Sequence, residues 1–304
     1  MDYCIDAACG SDIGRIRTNN EDNFYFNGVF LPQDNVGQRP PLTFSGCRPA
    51  DECMAVFDGM GGGEHGEAAS FAAAECLCGL LRGERGDEEM ESCLERLTER
   101  TNQAVFDKSE ALGASHMGTT QAILLFHGSR VYACNVGDSR IFGLRGGRLL
   151  QISRDHTDEE YMRERGITGR RARLTQHLGM DPAAICLEPH ITQGNLQTGD
   201  TYLICSDGLT DMVEPDQIRR ILSENSRASD CVERLIGAAL DGGGQDNVTV
   251  IVIRILEERT TRRDVNGTAQ FHTPVAAVDD SGISGFRRFW DGVKNTAETF
   301  RRKP

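Results

Sequence analysis

Up to about residue 257 the chain alternates between two hydrophobic rhythms. The runs NFYFNGVF and ECMAVFDG are short and rich in aromatic and β-branched residues, and they read as strands. Apolar residues then recur at helical spacing over Glu64 to Leu81 and Glu88 to Lys108, with Gly83 and Gly86 marking the break between the two helices. Next comes GTTQAILLFHGSRVYACNVGDSRIFGLRGGRLLQIS, three apolar-alternating runs separated by turn signals at His127-Gly128-Ser129 and Arg145-Gly146-Gly147. This stretch predicts an antiparallel meander. Asp155 to Gly179 is charged and irregular, and is expected to lie over the surface as a mobile segment. A buried strand resumes in TYLICSDGLTDMV, two helices are expected at Pro215–Asn225 and Ala228–Leu240, and NVTVIVIRILEE closes as a strand. Antiparallel strands with helices grouped in pairs indicate α+β layering rather than alternating βαβ units. From about Glu258 the pattern turns polar and no longer suggests a packed domain.

Composition changes this picture little. With 304 residues, 38% of them hydrophobic, the chain can bury one large core or two small ones. No apolar run approaches the roughly 20 residues needed to span a bilayer, and the N-terminus MDYCIDAACGSDIG lacks the pattern of a secretory signal. A cytoplasmic protein is the expectation. A formal net charge of −13 argues against nucleic acid as a partner. The eleven cysteines form no C-x-x-C pair, and most sit in apolar contexts such as ECLCGL, VYACNV and YLICSD, so they are expected to act as small hydrophobes rather than as a disulfide framework or a zinc site.

The chemistry gathers where strands end. MAVFDG ends at Asp58-Gly59, YLICSDG at Asp207-Gly208, and GGGQDNVTVIVI opens on Asp246-Asn247. The segment RIRTNNED adds Arg17, Glu21 and Asp22 just before the first strand run. An ionised carboxylate beside a buried strand is costly unless it is paired or binds a metal. Several such groups meeting at neighbouring strand ends would repel one another, a conflict that hard divalent cations such as Mg²⁺ or Mn²⁺ resolve. Taken singly, each Asp-Gly is an ordinary turn pair; taken together they favour a metal site. The glycine-rich DGMGGGEHGE is no phosphate loop, because no lysine follows the glycines and no βαβ unit follows the loop.

The motifs RIRTNNED, VFDGMGGGEHGE, GTT, NVGDSR, DHT, LTQHLG, ICSDGLTDMV and GGGQDNVTVIVI, in this order, resemble the bacterial branch of the metal-dependent serine/threonine protein phosphatases, the PPM or type 2C family. The resemblance runs from about Gly10 to Arg254. It implies a four-layer α-β-β-α sandwich of two antiparallel sheets, with two Mn²⁺ or Mg²⁺ ions at one end. Carried over by motif, Asp58 bridges both ions, Asp207 and Asp246 complete one, and Glu21 and the Gly59 carbonyl serve the other. Asp138 resembles the ligand of a weaker third ion, Asp22 would hold metal-bound water, and Arg17 would hold the substrate phosphate. The implied reaction is direct attack of a metal-bridging water on a phosphoserine or phosphothreonine ester, opposing a bacterial Ser/Thr kinase. The eleven cysteines and Ser206 have no catalytic part in it. Met60 stands where many eukaryotic relatives carry a histidine thought to protonate the leaving group, and His65 is expected to be structural. Residues 155–179 correspond to the family's flap, anchored by Asp155, His156 and Thr157, and RGITGRRARL within it either steers phosphopeptides or is simply solvated. The alternative functions are a catalytically silent module with this fold and a small-molecule phosphatase.

Residues 1–257 are thus read as the phosphatase domain and 258–304 as a polar linker and tail. In GFRRFWDGVKNTAETFRRKP, Phe286, Phe289, Trp290, Val293, Ala297 and Phe300 fall on one helical face, and the segment carries a net +4 by count. This basic amphipathic tail is expected to dock on a partner or on the chain's own acidic domain.

Overall fold

The computed structural model describes residues 3–47, 51–60, 65–82, 89–114, 116–224 and 227–257. Gly61 to Glu64 of the glycine-rich loop and the linker and tail expectations for 258–304 lie outside the described residues.

The chain opens with β1 (Tyr3–Asp12), β2 (Asp22–Phe26), β3 (Gly37–Cys47) and β4 (Asp51–Met60), then forms α1 (Gly66–Leu81) and α2 (Met90–Leu112). The strands β5 (Gly118–Thr119), β6 (Gln121–His127), β7 (Arg130–Val136), β8 (Arg140–Arg145) and β9 (Arg148–Gln151) follow. The short α3 (Glu159–Arg165) leads to β10 (His190–Asn195) and β11 (Thr201–Cys205). Then come α4 (Asp207–Thr210), α5 (Pro215–Glu224), α6 (Ala228–Asp241) and the last strand β12 (Val248–Glu257). One antiparallel sheet runs β3-β1-β12-β11-β8-β9 and the other β10-β7-β6-β4-β2, with β5 paired to the end of β4.

Strand alternation builds the layers. Ile251, Ile253 and Ile255 of β12 point between the sheets with Ile5 and Ala7 of β1, while Val250 and Val252 point the other way, onto α5 and α6. Both faces of this sheet are therefore buried, which explains why NVTVIVI is almost unbroken in apolar residues. Across the gap Phe24, Met54, Val56, Leu124 and Phe126 complete the inter-sheet core, where Phe126 meets Tyr202 edge-on at 5.9 Å. On the second sheet's outer face Thr98 of α2 meets Gln121 and Cys134, and Phe71 of α1 packs against Phe30. Helices on both outer faces of two packed sheets give the four-layer α+β sandwich.

The expected meander is not one sheet. β6 and β7 pair in the second sheet, but β8 and β9 pair in the first. The chain crosses between sheets at Gly137-Asp138-Ser139, where Gly137 takes a φ of 98° and a side chain on it would strike Thr120. Two hairpins in different sheets alternate as regularly as three strands in one, so periodicity cannot separate them. The 155–179 segment also holds more structure than expected: α3, and bridges Thr157–Leu174 and Thr119–Leu178. Asp155 accepts both Arg140 bonds at 2.7 and 2.9 Å, and His156 exchanges bonds with the Gly137 backbone, so these two residues do anchor it.

Cys4 and Cys47 stand opposite one another on β1 and β3 and form a disulfide, which the apolar-context reading of the cysteines did not foresee. Cys9, Cys134 and Cys205 are free and buried, as small hydrophobes should be. Among the described residues no helix is long and apolar enough to cross a membrane.

Candidate metal centre

At one end of the sandwich, strand ends from both sheets and the crossover between them open on one cavity of about 380 Å³. Its walls include Arg17, Glu21, Asp58, Gly59, Asp138, Arg171, Asp207 and Asp246. Asp58 and Gly59 are delivered by the end of β4, Asp207 by the start of α4 after β11, Asp246 by the turn into β12, and Asp138 by the inter-sheet crossover. The elements that deliver or flank them are packed in the core, which fixes where the carboxylates emerge.

Local hydrogen bonds hold the rim in place. The Asp58 amide donates to Thr120 Oγ1 at 3.0 Å, while the Asp58 carbonyl accepts from the Thr119 hydroxyl and the Thr120 amide at 2.9 Å each. This is what the GTT motif does. Buried Asn247 clamps the N-terminal segment: its Oδ1 accepts from the Glu21 amide at 2.8 Å, and its Nδ2 donates to the carbonyls of Ile13 and Asn19 at 2.9 Å. Gly59 donates its amide to the Glu21 carbonyl, and a side chain at position 59 would collide with the carbonyl oxygens of Gly66 and Glu21. Only glycine permits the three segments to meet so closely.

Two cations enter this acidic wall. Arg17 donates to Asp246 at 2.7 Å. Arg171, from the 155–179 segment, reaches Asp207 at 2.5 Å and Asp211 at 2.8 Å. Sequence reasoning saw Arg171 only as part of a basic run, since nothing local marks which arginine turns inward. It also did not find Asn247 or the Thr119–Thr120 brace; for Asn247 the one available signal is its place beside Asp246 at a strand start.

Asp22 stands behind the cavity wall rather than in it. It lies at the start of β2, opposite Asp58 in register, but is 1% exposed and does not line the cavity. Its carboxylate accepts a bond of 2.8 Å from Ser206, itself buried. Burial pushes Asp22 up to about 7 against the opposing Ser206 bond. Burial and then Asp207 push Asp138 up to about 6, with Arg171 opposing. Burial first, and then Asp207, Asp22 and Asp138, hold Asp58 well above the ordinary carboxylate range. Asp207 and Glu21 are likewise raised by burial, against Arg171 and Arg17 respectively. The site therefore concentrates negative charge that the protein alone only partly neutralises.

The donor set is wholly oxygen: carboxylates and a backbone carbonyl. Such a set suits hard divalent cations and not zinc or copper. Among the described residues no three His, Cys, Asp or Glu side chains are drawn into a finished cage. The cavity, its charge and its donors fit a pair of Mg²⁺ or Mn²⁺ ions. Met60 also lines the wall, whereas His65 takes a φ of 69° and its carbonyl accepts the Ala68 and Ala69 amides that open α1. His65 is thus a helix-starting residue, and among the described residues no histidine lines the cavity.

Comparison with known proteins points the same way. Residues 41–239 match the family model described as Protein phosphatase 2C. The chain is 33% identical over 255 residues to the serine/threonine protein phosphatase PstP of Mycobacterium tuberculosis, covering 82% of this chain and 45% of that protein, so it spans about half of that relative's length. It is 32% identical to the serine/threonine phosphatase stp of Listeria monocytogenes, covering 80% of this chain and 93% of that one. A solved structure of the PstP catalytic domain in complex with two manganese ions superposes with a TM-score of 0.66 at 31% identity, covering 84% of this chain and all of that one.

Proposed function

The chain belongs to the protein phosphatase 2C family, and from that premise we propose that it is a metal-dependent phosphatase that hydrolyses phosphoserine and phosphothreonine monoesters on proteins. The observation that carries this reading is the convergence of Glu21, Asp58, Asp138, Asp207 and Asp246 on one cavity that also holds Arg17 and Arg171. In it Asp58, Asp207, Asp246, Glu21 and the Gly59 carbonyl would hold two Mn²⁺ or Mg²⁺ ions, with Asp58 placed to serve both. Asp138 and Asp207 serve a weaker third. When bound, the ions lower the pKa of water and offset the charge that develops on the phosphoryl oxygens.

The remaining work falls to the chain. Arg17 offers a planar guanidinium to two phosphoryl oxygens, the geometry for which arginine is suited. To do so it must exchange its bond to Asp246 for the substrate. Asp22, held in its buried seat by Ser206, positions Asp58 across the β2–β4 ladder and is assigned a supporting role behind the wall. The attacking oxygen comes from water, the phosphorus–oxygen ester bond breaks, and the products are inorganic phosphate and a serine or threonine hydroxyl. Among the described residues no cysteine or serine lines the cavity, and direct attack by water needs no covalent phosphoenzyme. Met60 has no proton to give, and the leaving oxygen takes its proton from solvent in the cavity.

The physiological counterpart on this reading is a Ser/Thr kinase and its substrates in the cytoplasm. Its test is hydrolysis of phosphothreonine peptides with Mn²⁺ present, compared with EDTA-treated protein and with Asp207→Ala. Turnover lost in both supports the assignment; wild type no faster than the variant removes it. A clear preference for sugar phosphates over phosphothreonine peptides would leave hydrolysis standing and remove the protein-phosphatase label.

A further inference from the structure

A second cavity of about 610 Å³ adjoins the acidic one and shares two walls with it, Met60 and Leu174. Its chemistry is different. Phe106 of α2, Met117, Met180 and Ile185 line it, with Ile185 40% exposed at its edge. Charge on the rim is mixed, with Glu110 and Asp181 of one sign and Arg173 of the other, so no single sign of ligand is favoured. The walls are fixed in advance. Asn102 of α2 donates to the Met180 carbonyl at 3.0 Å and accepts from the Gly179 amide at 2.8 Å, while Leu178 and Thr119 exchange backbone bonds. A trough held in this way does not have to be ordered when something enters it.

We infer that this trough is a specificity site, which seats an apolar side chain of the substrate polypeptide next to the phosphorylated residue. The inference rests on the phosphatase reading above. A phosphoryl group held at Arg17 sets the start of the path. An extended chain advances about 3.3–3.6 Å per residue, so a chain leaving the acidic cavity across Met60 and Leu174 brings its next side chains into the trough. A small phosphate ester would leave it empty. Three methionine walls adapt to shape rather than select it, so leucine, methionine and phenylalanine are all accepted and aspartate is refused.

The test uses the full chain with Mn²⁺ and paired phosphothreonine peptides that differ only in leucine or aspartate at the two positions on either side of the phosphothreonine. Leucine peptides are expected to show a kcat/KM about tenfold higher, in keeping with burial of one aliphatic side chain, with the gain in KM rather than kcat. Phe106→Ala and Ile185→Ser are expected to remove most of that preference while p-nitrophenyl phosphate turnover stays unchanged; thermal midpoints verify that both variants remain folded. Equal kcat/KM for the two peptides, with both readily hydrolysed, overturns the inference and leaves the phosphatase reading intact. A preference that survives in both folded variants overturns it too. Hydrolysis of neither peptide nor p-nitrophenyl phosphate overturns the phosphatase reading, and the inference falls with it.

Discussion

Individual side chains in this protein divide into those that carry charge into the cavity and those that keep it there. Arg171 is of the first kind, and it shares Asp207 with any cation that binds there. Removing it by Arg171→Ala should tighten Mn²⁺ binding about two- to fivefold, the range set by a solvent-exposed ion pair. Calorimetric titration reads this directly, and weaker binding would show that the guanidinium does not compete. Asn247 is of the second kind. Asn247→Ala leaves the Glu21 amide and the carbonyls of Ile13 and Asn19 without their partner, at an expected cost on the order of 2–3 kcal/mol. Urea unfolding measures that loss, and Mn²⁺ affinity should fall with it because Glu21 loses its seat. The residues that sequence made visible were Asp58, Asp207 and Asp246, because each puts a charge where an apolar strand run ends or begins. Asn247 and Arg171 were hidden because amide clamps and inward-turned arginines act through contacts 36 or more residues away along the chain.

Elements succeed or fail as units of inference for a similar reason. Helices α5 and α6 were legible because one face of each is apolar at helical spacing, and β11 and β12 because both their faces are buried. Strands β1, β3 and β10 were not assigned from sequence. β1 is built from small residues, Ala7, Ala8 and Gly10, while β3 and β10 lie at sheet edges with exposed polar positions. The crossover at Gly137–Ser139 was read as strand interior, although it is the feature that carries Asp138 into the cavity. Glycine tests at two elements separate close approach from mere flexibility. Gly59→Ala forces a methyl group against two carbonyl oxygens and should cost about 1–3 kcal/mol. Gly237→Ala, within α6 with open space around it, should gain about 0.5–1 kcal/mol from helix propensity. Thermal denaturation that ranked the two the other way would contradict the packing described here.

For the molecule as a whole, stability is tied to the charge gathered at one end. Asp22 at about 7, Asp138 at about 6 and Asp58 higher than its ordinary range all lie above the unfolded carboxylate value of about 3.9. A group raised on folding contributes stability that is full below its unfolded pKa and is lost as pH rises through its folded pKa. In EDTA the melting temperature should therefore fall as pH rises from about 5 to about 8. Saturating Mn²⁺ should reverse this, since the cations bind the deprotonated ligands and only the folded chain presents them together. A metal-free melting temperature that climbs over the same range would mean that these carboxylates do not repel one another. The most direct test of the account is calorimetric titration of the metal-free protein with Mn²⁺ near pH 7.5. Two ions per chain are expected for the wild type, and loss of at least one for Asp58→Asn, whose carboxylate is assigned to both. No uptake by the wild type, or undiminished uptake by Asp58→Asn, would contradict it.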